Sequence, residues 1–158
     1  MKIIIGSDKS GFALKEAVKA RLIERGCEII EVGTTDINDP VPFFKTAPLA
    51  VEKMRGGGAS KAILICGTGM GMCQVANKYP NIRAACVESV YAARMCRAVN
   101  DSNILCMGGW IIADIMGVEI TDAFLDTEFT QGLEPWRQEF LKNAKNEFDA
   151  LEKEIYGI

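Results

Sequence analysis

The chain has 158 residues, 49% of them hydrophobic, with a net charge of −3. That length suits one domain with a sizeable core, and the composition excludes a disordered chain. With no basic tract, the chain is not expected to bind nucleic acid by charge attraction; with no histidine, the usual zinc ligand and the commonest general base near neutral pH are missing, and proton chemistry falls to Cys, Asp, Glu, Lys or Tyr.

Lys2 to Gly6 reads as an opening strand and Ser7 to Gly11 as a polar turn, with Asp8 or Ser10 placed to cap a helix over Phe12–Arg25 that ends at Gly26. Cys27 to Val32 is a second strand, and Gly33 to Pro42 a loop rich in Thr, Asp, Asn and Pro. A helix follows over Ala47–Met54, with Pro48 near its first turn, then the connector Gly56-Gly57-Gly58. Ala62 to Cys66 is a third strand; it leads through Gly67–Gly71 into a helix that runs to about Lys78. Arg83–Val87 and Ile104–Met107 are strands, Val90–Val99 and Ile111–Leu125 helices. Gln131–Glu134 is a turn, and Trp136–Ile155 a polar, amphipathic closing helix. Strands alternate with helices throughout, which implies a mostly parallel sheet covered on both faces: a three-layer α/β/α, Rossmann-like or flavodoxin-like domain of five strands spanning residues 1–158. In such sheets ligands bind at the carboxyl ends of strands. Asp8, Cys66 and Asn100 are expected to share that rim.

The N-terminal Met1–Gly6 is too short and too quickly polar for a signal peptide, and Ile104–Val118 is broken by Gly108, Gly109 and Asp114, so no membrane span is expected. The six cysteines form no C-x-x-C pair and read as small buried hydrophobes in a reducing cytoplasm, Cys66 excepted. Cys66 stands where a strand meets the glycine-rich turn Gly67-Thr68-Gly69-Met70-Gly71. Glycines let backbone N–H groups face a ligand closely, and a helix start favours negative charge. One loop can therefore hold an anion and offer a base or nucleophile.

Seven fragments carry a wider resemblance: Ile5-Gly6-Ser7-Asp8, Cys66 to Gly71, Ala76-Asn77-Lys78, Ile82 to Ala85, Ala93-Arg94-Met95, Asn100 to Asn103 with Leu105, and Gly108-Gly109. In this order and spacing they resemble the ribose-5-phosphate isomerase B / galactose-6-phosphate isomerase family, from residue 1 to about 130. The resemblance implies a cytoplasmic aldose–ketose isomerase, working without metal or cofactor on a phosphorylated or otherwise acidic sugar through an enediolate. It implies Cys66 as the base, with Met72 standing where another branch has a glutamate base. It implies the N–H groups of Gly67, Gly69, Met70 and Gly71 as oxyanion donors, Asn100 as a contact to the enediolate oxygens, and Thr68 and Asp8 as groups that bind or relay protons at the hydroxyls. It also implies a homodimer or dimer of dimers whose pocket lies between subunits, the closing helix (about 136–155) at the interface and Arg137 acting on the neighbour's site.

The chain departs from this pattern on the substrate side. Asp8-Lys9 stands for Asp-His, Val99 for a ring-opening histidine, and Gly108-Gly109-Trp110 for Gly-Gly-Arg. Gly132 to Arg137 keeps only the last arginine of a Gly-Arg-His-x-x-Arg segment. Lys9 and Arg137 remain to hold one anionic group. Valine moves no proton, so the substrate is expected to be open-chain already, and specificity for ribose 5-phosphate or galactose 6-phosphate is in doubt. The rival reading is a non-catalytic partner subunit or sugar-binding module; a nucleotide site is disfavoured because the turn lacks Gly-x-Gly-x-x-Gly spacing and a P-loop lysine.

Overall fold

The structure, a computed structural model, describes all residues from Met1 to Ile158. Five strands, β1 (Lys2–Ser7), β2 (Glu28–Gly33), β3 (Lys61–Cys66), β4 (Ala84–Cys86) and β5 (Ile104–Gly108), alternate with α1 (Phe12–Glu24), α2 (Phe43–Arg55), α3 (Met70–Ala76), α4 (Val90–Ala98) and α5 (Asp114–Asp126). α6 (Pro135–Tyr156) closes the chain. All pairings are parallel, in the order β2-β1-β3-β5-β4. The three-layer α/β/α expectation holds, with the last two strands exchanged relative to their order in the chain.

Side chains of a strand alternate between its faces, and the core divides accordingly. Ile3, Ile5, Ile63, Ile65, Leu105 and Met107 pack under α1, α4 and α5. Ile4, Ala62, Leu64, Cys66, Ile104 and Cys106 pack under α2 and α3. The continuous apolar runs read from the sequence are what a sheet buried on both faces requires.

Three boundaries differ from expectation. α2 starts at Phe43, so Pro48 lies inside the helix rather than in its first turn. Pro42 caps it in extended conformation, and the Thr46 hydroxyl reaches back to the Pro42 carbonyl at 3.2 Å. These contacts extend the helix ahead of the point where the proline was read as a start signal. α3 stops at Ala76, where the Asn77 side chain turns to bond both the N–H and the carbonyl of Ala84. α5 starts at Asp114, because Ile111 and Ile112 close a turn on the Gly108 carbonyl.

Lys15 was not foreseen as a core residue. It is fully buried and pairs with Glu16 at 2.8 Å and with Glu31, while donating to the Thr34 carbonyl at 2.8 Å. Its ammonium also lies 4.4 Å from the Phe12 ring centre. A buried cation persists only when its charge and protons are satisfied this fully. No helix is long and apolar enough to cross a membrane.

Candidate active site

Three loops converge at the carboxyl end of the sheet's centre: Asp8–Gly11 after β1, Gly67–Gly69 after β3, and Gly108–Trp110 after β5. Backbone bonds lace them together. Asp8 N–H donates to the Ile65 carbonyl at 3.2 Å, Gly109 N–H to the Cys66 carbonyl at 2.8 Å, and Trp110 N–H to the Gly67 carbonyl at 3.0 Å. The approach is so close that a Cβ on Gly11 would stand 2.3 Å from the Ile65 oxygen. Side chains from three separate strands are thereby fixed within one small rim.

Cys66 ends β3 with 4% of its surface exposed. Its Sγ accepts the Gly69 N–H at 3.2 Å. Gly69 has φ +77°, a left-handed conformation that turns its amide back onto the sulfur and starts α3. Thr68 is half-buried, and its Oγ1 accepts the Met70 N–H at 3.3 Å. Met70, read from the sequence as packing, is half-exposed on the turn instead; Met72, one helical step inward, is the buried one.

Asp8 is half-buried beside the turn, and its Oδ1 accepts the Gly11 N–H at 3.0 Å. It organises the loop rather than standing as the N-cap of α1; that position is Gly11, which has no side chain to cap the helix. Burial pushes its carboxyl above the ordinary value of 3.8, against the opposing effect of the Gly11 and Ser10 amides. A carboxyl so placed is better suited to exchange a proton than an exposed one. Lys9 projects from the same loop into solvent.

Asn100 is not on this rim, contrary to expectation. It lies in the loop between α4 and β5, at the amino ends of the strands, where Asn103 and Arg83 pair across the starts of β5 and β4. The physical reason is the polarity of a parallel sheet: a helix-to-strand loop lies at the end opposite to a strand-to-helix loop. Val99 and Asn100 line a cavity of about 650 Å3 between α6 and the β4 edge. That cavity is mostly apolar and lies at the other end of the sheet from Cys66, apart from the rim of the three loops. Arg137 is exposed in the first turn of α6 and pairs with no acid. Arg83 braces the fold, bonding the Asp101 carbonyl and carboxylate.

Two features went unread in the sequence. Cys73, on α3, is the thiol held low, to about 7, because the Cys106 thiol bonds it while burial opposes. It faces β4 and not the turn, with its Sγ 3.3 Å from the Ala84 carbonyl. The periodicity of α3 marked it only as packing. Trp110, undecided between pocket and core, is 74% exposed and lies over Gly67. Nowhere do three or more His, Cys, Asp or Glu side chains gather as metal ligands.

The Ribose/Galactose Isomerase family model matches residues 3–139. The chain is 59% identical over 156 residues to the 4-deoxy-4-sulfo-D-erythrose isomerase of Clostridium sp. (strain MSTE9), covering 99% of this chain and 98% of that one. It is 34% identical to D-erythrulose-4-phosphate isomerase 2 of Mycolicibacterium smegmatis, covering 82% and 86% of the two chains. Among solved structures, ribose-5-phosphate isomerase B of Clostridium thermocellum superposes with a TM-score of 0.87 at 35% identity, covering 98% and 99%. The rim that joins Cys66, Thr68 and Asp8, the five-stranded scaffold beneath it and these matches lead to one conclusion: the chain belongs to the Ribose/Galactose Isomerase family and is an aldose–ketose sugar isomerase.

Proposed function

We propose that this enzyme interconverts a four-carbon, open-chain acidic aldose and its 2-ketose, with 4-deoxy-4-sulfo-D-erythrose the leading substrate and Cys66 the base. The observation that carries the chemistry is the Cys66 Sγ on the glycine turn, held by the Gly69 amide at 3.2 Å. Support for the substrate comes from the end-to-end match to a sulfo-erythrose isomerase and from Val99. An aldose whose C4 bears a sulfonate has no O4 with which to close a furanose ring, so it needs no ring-opening group; Val99 can supply none.

The reaction conserves atoms and charge. Cys66 thiolate takes the C2 proton of the aldose, and the electron pair moves onto the carbonyl oxygen to give an enediolate. The amides of Gly67, Gly69, Met70 and Gly71 serve the developing oxyanion, Gly69 and Met70 by giving up their bonds to Cys66 Sγ and Thr68 Oγ1; preorganised donors of this kind are often worth about 3 kcal/mol each. Thr68 and Asp8 pass the O2 proton to O1, a role that suits a carboxyl raised by burial. The Cys66 thiol then returns its proton to C1. Lys9 binds the acidic end of the substrate from the same chain.

Asn100 and Arg137 serve the site of a second copy, in a homodimer or a dimer of dimers. Two observations favour this. Asn100 lies at the end of the sheet opposite to Cys66 in its own chain, and α6, which carries an exposed Arg137, buries no residue in the single chain while exposing Trp136, Phe140, Phe148, Leu151 and Ile155. The setting is cytoplasmic, where six free thiols stay reduced.

The test is turnover of purified protein with 4-deoxy-4-sulfo-D-erythrose, erythrose 4-phosphate and ribose 5-phosphate. Highest kcat/KM with the sulfonate is the expected result. A preference for ribose 5-phosphate contradicts the proposed substrate.

A further inference from the structure

Two aromatic rings bracket the turn that carries Cys66, and the proton transfer uses neither. A Cβ on Gly67 would lie 2.8 Å from Trp110 Cε3 and 2.9 Å from both Cδ2 and Cε2. Three indole atoms at one distance mean that the ring lies face-on over the residue next to Cys66. Its N–H bond to the Gly67 carbonyl pins its backbone, while its other face is open, for the residue is 74% exposed. At the far end of the turn, the Phe43 ring covers Gly71, with Cδ2 and Cε2 each 3.0 Å from the site of a Cβ. Phe44 steadies Phe43 edge-on, with ring centres 5.4 Å apart. Trp110, which follows β5, and Asp8 and Lys9, which follow β1, thus lie on opposite sides of β3 and its turn. Trp110 stands where the family pattern has an arginine, so an indole replaces a cation beside the base.

We infer that Trp110 is a specificity-determining wall that admits a four-carbon chain and turns away a longer one. The inference rests on the isomerase reading above. C1 and C2 must reach Cys66 Sγ, so every further carbon runs along the turn between Asp8 and Lys9 on one side and Trp110 on the other. An indole face packs well on the C–H side of a short chain, and its bulk leaves less room for an additional hydroxymethylene. A one-carbon difference against such a wall typically discriminates by about 10- to 200-fold.

The test compares two ketoses, D-erythrulose 4-phosphate and D-ribulose 5-phosphate. Neither closes a furanose, since the four-carbon ketose has no O5 and in the five-carbon one O5 is esterified, so chain length is the main difference and ring opening plays no part. Wild type is expected to prefer the four-carbon ketose. Trp110→Ala is expected to shift the kcat/KM ratio toward ribulose 5-phosphate by at least about tenfold. Its mass in solution should stay unchanged, and Trp110→Phe should restore the preference. An unchanged ratio in Trp110→Ala overturns the wall while leaving the isomerase reading intact. Equal loss on both ketoses with a change of oligomeric mass also overturns it, making Trp110 a subunit contact. Wild type inactive on every four-carbon substrate overturns the reading and the wall together.

Discussion

Cys66 and Cys73 show why a site must be judged by geometry as well as acidity. Cys73 is the thiol held near 7, yet it points at β4; Cys66 lies on the turn with an amide on its sulfur. Cys66→Ser is expected to lower kcat by about 10²–10⁴-fold, the usual worth of a positioned base, whereas Cys73→Ser should leave it within a small factor. Steady-state kinetics of the two variants, with circular dichroism to show that both fold, separates them. Lys15 poses the residue-scale question for stability. Lys15→Ala leaves Glu31 with only Lys19, at 2.7 Å, and leaves a void beside Phe12. We expect a loss of about 3 kcal/mol in urea unfolding, typical of breaking a buried ion pair. The Cys66 turn was legible because strand, cysteine and glycines are contiguous. Lys15 was not, because nothing local to α1 announces that Glu31, 16 residues on, folds over it.

At the scale of elements, two carboxylates join neighbours around α1. Glu31 ties β2 to Lys15 and Lys19, and Asp122 ties α5 to Arg21 and Arg25. Burial alone would raise both carboxyls, but hydrogen bonds from the cations outweigh it and hold them below their ordinary values of 4.5 and 3.8. A lowered carboxyl stabilises the fold fully above its unfolded pKa, and that contribution is lost as pH falls through the folded one. Thermal stability is therefore expected to decline below about pH 4.5. Glu31→Gln and Asp122→Asn should each lower Tm at pH 7 and flatten the acid decline; an acid limb as steep as wild type in both variants would refute the assignment. The elements themselves were largely readable from apolar runs and glycine stops. What misled at this scale was α2, where Pro48 looked like a start but contacts around Pro42 and Thr46 set the boundary.

The whole molecule decides what one chain cannot. Asn100 follows a helix and precedes a strand, and that order alone puts it at the amino end of a parallel sheet, away from Cys66. The signal was in the chain; reading proximity to any strand as membership of one rim missed it. If Asn100 serves a second copy, two inactive proteins should rescue each other. Co-expressed Cys66→Ala and Asn100→Ala chains should regain about a quarter of wild-type activity, since half of random dimers are mixed and each mixed dimer keeps one intact site of two. No rescue would place Asn100 outside the site. α6 belongs to the same scale. Its apolar face was legible as an amphipathic helix, but only the folded chain shows that none of its residues is buried. The most direct test of the central claim is solvent-deuterium incorporation into an acidic four-carbon ketose by Cys66→Ala. The account predicts wild-type exchange at the carbon next to the carbonyl and none above background in a folded variant. Exchange retained by that variant would contradict it.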